Sequence, residues 1–182
     1  MRKFTITLLV LLSSVFIKAQ IVPNFKGDES FFENKAGMEA LDTLVFDGTR
    51  SAKIDSLQIG FTPPLQFMRI NNNTFVNFQT SSFIQISEIK KVVYLLAVKN
   101  LTPEILEPQG VRFISSEEIM TSLNKEGILV YLSHQIEGKE FERMMLFTGD
   151  YLRTIWISAT YPLELKSSVH DILKKSLLSI EF

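Results

Sequence analysis

From residue 57 onward, apolar and polar positions alternate in short runs divided by turn residues. Leu57, Ile59 and Phe61 interleave with Gln58 and Gly60, which is the two-residue period of a half-buried strand. Pro63 and Pro64 stop that strand, because neither ring nitrogen can donate to a ladder. Asn71, Asn72 and Asn73 signal a turn, and residues 74–78 and 83–89 read as two further strands. Residues 90–100 hold an apolar run that fits a buried helix or a buried strand equally well by period. The next segment is better marked: Thr102 as N-cap, Pro103 at the first helical position and Glu104 in the first turn predict a short helix, which Pro108 and Gly110 end.

The last third predicts a meander. One strand falls within 111–121, a turn follows at Asn124 to Gly127, and a second strand runs over 128–136. Glu137 and Gly138 form a tight hairpin turn into a strand over 140–147, and Thr148, Gly149 and Asp150 turn the chain into a last strand over 151–160. Strands joined by such short turns must be antiparallel neighbours. Met144, Met145, Leu146 and Phe147 are apolar on both parities, so that strand is expected to be covered on both faces. One cover is a C-terminal amphipathic helix, with Ser168 as cap, Asp171 three residues on, and a stripe of Val169, Ile172, Leu173, Ser176 and Leu177.

The beginning of the chain carries an address. Arg2 and Lys3 precede an apolar run that reaches Ile17, too short to span a membrane and of the right length for a secretory signal peptide cut near Ala19. The resulting division is a signal peptide at 1–19, an irregular N-terminal arm at 20–56 with one short helix around 33–41, and a folded domain at 57–182. Removing the leader takes Arg2, Lys3 and Lys18 from 19 basic residues against 20 acidic ones, so the net charge moves from −1 to −4. Such a chain has no global basic field for nucleic acid, and no second apolar run reaches membrane-spanning length. The absence of Cys removes disulfides, thiol catalysis, zinc ribbons and a lipid-anchored cysteine.

Several blocks of the domain resemble the PsbP-like superfamily. They are Leu101-Thr102-Pro103-Glu104-Ile105-Leu106, then Gln109-Gly110, then the meander with Gly127, Gly138 and Gly149. Ala159-Thr160-Tyr161-Pro162 and the closing stretch Leu173 to Ile180 complete them, and Pro63-Pro64 followed by Phe67 is similar to the stretch after that family's first core strand. The superfamily includes an extrinsic subunit of the plant oxygen-evolving complex, a nuclear Ran-binding protein and exported bacterial proteins. The resemblance implies an α+β fold, an α/β/α sandwich around a central antiparallel sheet, in agreement with the pattern. It also implies action by binding or assembly, with no catalytic residues to carry over.

Candidate chemistry is sparse. His134 on a strand and His170 in the last helix lie in no metal-ligand spacing, and the plainer reading is one strand histidine and one surface histidine. No G-x-S-x-G elbow supports a Ser-His-Asp triad, and neither a phosphate loop nor a calcium loop is present. The candidate carboxylates are Glu117 with Glu118, Asp150, and Glu140 with Glu142, of which the last two share a parity and suit paired acid and base work. Their neighbours Lys139 and Arg143 favour solvated cross-strand pairing instead. Lys174 and Lys175 suit the negative end of the helix dipole. Trp156 is expected in the core, or, if exposed near Tyr94 or Tyr131, on a partner surface.

No catalytic, cofactor-binding or metal-binding residue is therefore assigned. The expected function is that of an exported, periplasmic or extracellular, non-enzymatic binding or accessory module with a protein partner and without nucleic acid. The alternatives are a small hydrolase built on Glu140 and Glu142, and a carrier of an apolar small molecule.

Overall fold

Seven strands pair in the order β3-β4-β5-β9-β8-β7-β6, every neighbour antiparallel, in a computed structural model that describes residues 44–182. The strands are β3 (Met68–Asn71), β4 (Thr74–Asn77), β5 (Ser82–Lys90), β6 (Val111–Met120), β7 (Glu126–Ile136), β8 (Lys139–Gly149) and β9 (Arg153–Pro162). Two shorter strands, β1 (Ala52–Ile54) and β2 (Ile59–Phe61), form a separate hairpin. Three helices complete the domain: α1 (Tyr94–Lys99), α2 (Pro103–Leu106) and α3 (Lys166–Leu178). The leader and the helix expected around 33–41 lie outside the described residues.

Most of this is local pairing. The turn at Glu137 and Gly138 puts both residues at positive φ, 50° and 78°, which twists β7 and β8 into register with Ile136 opposite Lys139. Within the seven-stranded sheet, the long-range pairing of β5 with β9 closes the meander onto β3, β4 and β5. Edge strand β6 exposes Ser115, Ser116, Glu117 and Glu118, charged and small groups that discourage pairing with another chain.

Alternation sorts the side chains onto two faces. Ile84, Ile86, Leu129, Met144, Leu146, Ile155, Ile157, Ala159 and Tyr161 share one buried cluster with Val169, Leu173 and Leu177 of α3. Val130, Leu132, Met145, Phe147 and Trp156 occupy the alternate positions and are also buried, and α1 packs against β7, β8 and β9. The two-sided apolarity of β8 therefore corresponds to burial on both parities, and Trp156 is a core residue.

The apolar run in 90–100 resolves as helix, because Lys91 at φ 60° ends β5 and turns the chain off the sheet. The short helix starts at Pro103 as expected, although Thr102 makes no side-chain capping bond to its N–H groups, and Gly110 at φ 72° ends the following 3-10 turn, Glu107–Gln109. Two details of the pattern need correction. The C-terminal helix begins at Lys166, not after a Ser168 cap: a 3-10 turn, Leu163–Leu165, feeds it directly, and the Lys166 N–H bonds to the Leu163 carbonyl. Leu44 and Ile54, placed by the pattern in an irregular arm, belong to the main buried cluster. The β1–β2 hairpin is fastened to the chain end, since Gly60 and Glu181 exchange backbone bonds of 3.0 and 2.8 Å and Ser176 Oγ donates to the Thr62 carbonyl at 2.6 Å.

Candidate functional site

Three bases, Lys166, His170 and Lys174, stand four residues apart on α3. That spacing aligns them along one side of the helix, beside the buried stripe Val169, Leu173, Ser176 and Leu177. The sheet beneath offers acids to match. Glu142 shares the parity of buried Met144 and Leu146 and is only 1% exposed, and its cross-strand partner in β9 is Tyr161.

The two side chains and the helix close on each other. The Tyr161 hydroxyl donates to Glu142 Oε1. Lys166 Nζ donates to Oε2 at 2.6 Å, and His170 Nδ1 lies 2.7 Å from the Tyr161 oxygen and 3.4 Å from Glu142 Oε1. The phenol has one proton, so once it donates to Glu142 its oxygen must accept from His170, which places the imidazole proton on Nδ1. Burial pushes the Tyr161 phenol far above its ordinary range, and the bond to Glu142 pushes it further. Its proton is therefore fixed at any ordinary pH.

A second set lies beside the first. Lys174 Nζ donates to Glu117 Oε1 at 2.7 Å and the Tyr131 hydroxyl donates to the same oxygen at 2.6 Å. These bonds, that from Lys174 first, hold the Glu117 carboxyl below its ordinary range, while burial and Glu117 push Tyr131 up to about 12. The Tyr131 ring lies against His170, centroids 5.8 Å apart and planes 14° apart, so the two sets are continuous. Glu117 reaches this face because β6 carries a bulge between Phe113 and Ser115. Phe113 opposes Leu132, and unbroken pairing would set Glu117 opposite Ile128 on the far face; the extra residue sets it opposite Leu129, under α3.

Glu140 and Glu142 do share a face, yet they do different things. Glu140 is exposed and pairs with Arg112 at 3.0 Å, whose Nε also donates to Ser133 Oγ at 3.0 Å. Lys139 and Arg143 are not the partners of this acid pair: Glu142 is held by Lys166, and Arg143 points to the opposite face. Lys174, expected to answer the helix dipole, instead meets Glu117. His170, expected on the surface, sits in the Glu142 set. Only the parity of Glu142 with Met144 and Leu146 signals this in the sequence, since a carboxylate on a buried parity must find partners.

The other candidates do not join this set. His134 lies on the far face against Phe141, ring centroids 6.0 Å apart, so the two histidines do not converge. Burial, then the charge of Arg143, lowers His134 to about 4, and its buried Nε2 has no hydrogen-bond partner among the described residues. Arg143 itself, lowered to about 10 by burial, donates from Nε to Thr160 Oγ1 at 2.9 Å and makes no ion pair among the described residues. Asp150 fixes the β8–β9 turn by accepting from the Leu152 and Arg153 N–H groups at 2.7 and 3.0 Å. Glu118 lies near half-buried Tyr94 and helps burial raise that phenol.

Chemically, a carboxylate, a phenol, an imidazole and an ammonium are the parts of acid and base catalysis. Here both Glu142 oxygens are engaged by the chain's own donors, and the carboxylate has no exposed side from which to meet a substrate. The arrangement suits a tie that holds α3 to β8 and β9.

No family model matches the chain, and no curated protein matches it. Solved structures do share its fold. The cyanobacterial PsbP protein of Synechocystis sp. PCC 6803 is 8% identical, covering 80% of this chain and 95% of its own, with a TM-score of 0.55. LpqN of Mycobacterium tuberculosis, described as involved in cell envelope biogenesis, is 8% identical over 68% of this chain and 82% of its own, with a TM-score of 0.52. A Pseudomonas aeruginosa protein of unknown function, described as a putative regulator, is 13% identical over 71% of this chain and 94% of its own, with a TM-score of 0.50. The domain therefore has the PsbP-like fold that its sequence blocks resemble.

Proposed function

We propose that the chain is an exported, non-enzymatic accessory module, an α/β/α sandwich that acts by binding a protein partner in the cell envelope. The observation that carries this reading is the closed state of the Glu142 set. The one place where titratable groups of catalytic type gather on the described sheet is filled by its own hydrogen bonds. The short apolar run before Ala19 supports export, and the likeness in fold to a protein involved in cell envelope biogenesis agrees with it. Among the described residues no helix is long and apolar enough to cross a membrane.

The test is recovery of the tagged full chain from its native envelope after crosslinking, beside a Glu142→Gln variant. The expected result is one defined envelope protein recovered with both chains in proportion to their folded fraction. Recovery of no partner, together with turnover of a substrate that Glu142→Gln abolishes in a still-folded chain, would overturn it in favour of a carboxylate-dependent hydrolase.

A further inference from the structure

The far face of the sheet holds a cation that the described residues leave without a counter-charge. Two neighbouring cross-strand rows meet there: His134 opposes Phe141 in one, and Leu132, Arg143 and Thr160 stand side by side in the next. Arg143 Nε donates to Thr160 Oγ1 at 2.9 Å, which anchors the guanidinium and leaves its Nη groups with no partner among the described residues. His134 Nε2, on the diagonal from Arg143 across β7 and β8, is buried and is also unpartnered among them.

The acids of the neighbouring elements are engaged elsewhere or stay in solvent. Glu140 and Glu142 lie on the other parity of β8 and serve Arg112 and Lys166 on the α3 face. Glu107 and Glu137, before β6 and at the β7–β8 turn, are exposed and form no ion pair among the described residues. Burial lowers the Arg143 guanidinium with no nearby carboxylate to oppose it, and burial with the charge of Arg143 lowers the His134 imidazole. A charge placed in this way is costly unless an anion answers it.

Charge and surroundings indicate which anion. The imidazole is neutral at neutral pH, so the pair carries a single positive charge, which one carboxylate balances and a phosphate dianion exceeds. The free Nη edge of a guanidinium presents parallel N–H bonds that match the two oxygens of a carboxylate. Leu132 and Phe141, opposite and beside these groups, are buried and apolar, and suit an apolar body next to the charge.

We propose that Arg143 and His134 form a binding site for the carboxylate of a small apolar organic acid. The guanidinium holds both oxygens, His134 donates from Nε2 to one of them, and Thr160 positions the guanidinium. This site requires no protein partner, and it lies on the opposite face of the sheet from the Glu142 set.

Benzoate is the probe, titrated at neutral pH into the full chain while the rings of its two histidines are followed by NMR. His134→Gln assigns the signals, and His170, on the α3 face, is the internal control. The expected result is a saturable shift of the His134 resonances with those of His170 unmoved. Arg143→Lys keeps the charge and loses the planar fork, so its affinity for benzoate should fall about tenfold. Inorganic phosphate should bind more weakly than benzoate. His134 resonances that stay still in the parent chain, or equal movement of both histidines, would overturn the proposal. So would unchanged affinity in a folded Arg143→Lys chain, or phosphate that binds as tightly as benzoate. Circular dichroism checks the fold of the variant, and the parent titration with its His170 control decides alone if the variant does not fold.

Discussion

Removing one oxygen from Tyr161 takes a donor from buried Glu142 and leaves His170 Nδ1 facing a ring edge. Replacing the phenol with phenylalanine keeps the ring packing, so the loss isolates the hydrogen bonds. Tyr161→Phe is expected to lower unfolding free energy by about 1–3 kcal/mol in a denaturant titration, the range for stranding a buried polar group. His134 makes a prediction in pH. Its folded value, about 4, lies below the ordinary 6.5 because burial and Arg143 disfavour the imidazolium. Between those values the unfolded chain takes up a proton that the folded chain refuses, so this residue makes stability fall as pH falls from about 6.5 to about 4. His134→Gln should flatten that part of the stability profile. An unchanged slope in the variant would place the acid sensitivity elsewhere.

At the scale of elements, the meander was legible because each strand exceeds a full alternation and each turn carries Gly, Asn or Asp. The β1 strand was not, since three residues give no period, and Leu44 and Ile54 are buried by contacts with distant residues of the sheet and α3. The start of α3 was misplaced because Ser168 and Asp171 imitate a capping pair, whereas the chain enters the helix through a 3-10 turn. The Glu142 set joins β8, β9 and α3, and no local spacing records that meeting. A bulge in β6 decides which way Glu117 faces, and alternation counted along the sequence gives the wrong face beyond it. The β8–β9 turn depends on Gly149, at φ 146°, where a Cβ would strike the Arg153 carbonyl oxygen. Gly149→Ala is expected to cost about 1–3 kcal/mol, the range for a strained backbone position, and thermal unfolding with circular dichroism reads it.

Over the whole molecule, the α3 face of the sheet is sealed by a stripe of bases on acids, and the far face is packed with apolar side chains around Trp156. Exposed apolar side chains lie instead at several margins of the described domain, among them Met68, Leu96, Met120, Tyr151 and Leu152. That division favours a domain whose interior serves stability and whose margin serves contact. Glu142 decides between this view and catalysis, because the two assign it opposite effects on stability. A structural tie stabilises, whereas a catalytic group commonly sits in a site whose neutralisation makes the protein more stable. The most direct measurement is the unfolding free energy of Glu142→Gln against the parent chain at neutral pH. A loss of about 1–3 kcal/mol is predicted for a buried carboxylate that gives up its bond to Lys166 and turns an amide toward Tyr161. Stability unchanged or raised in the variant would contradict the account.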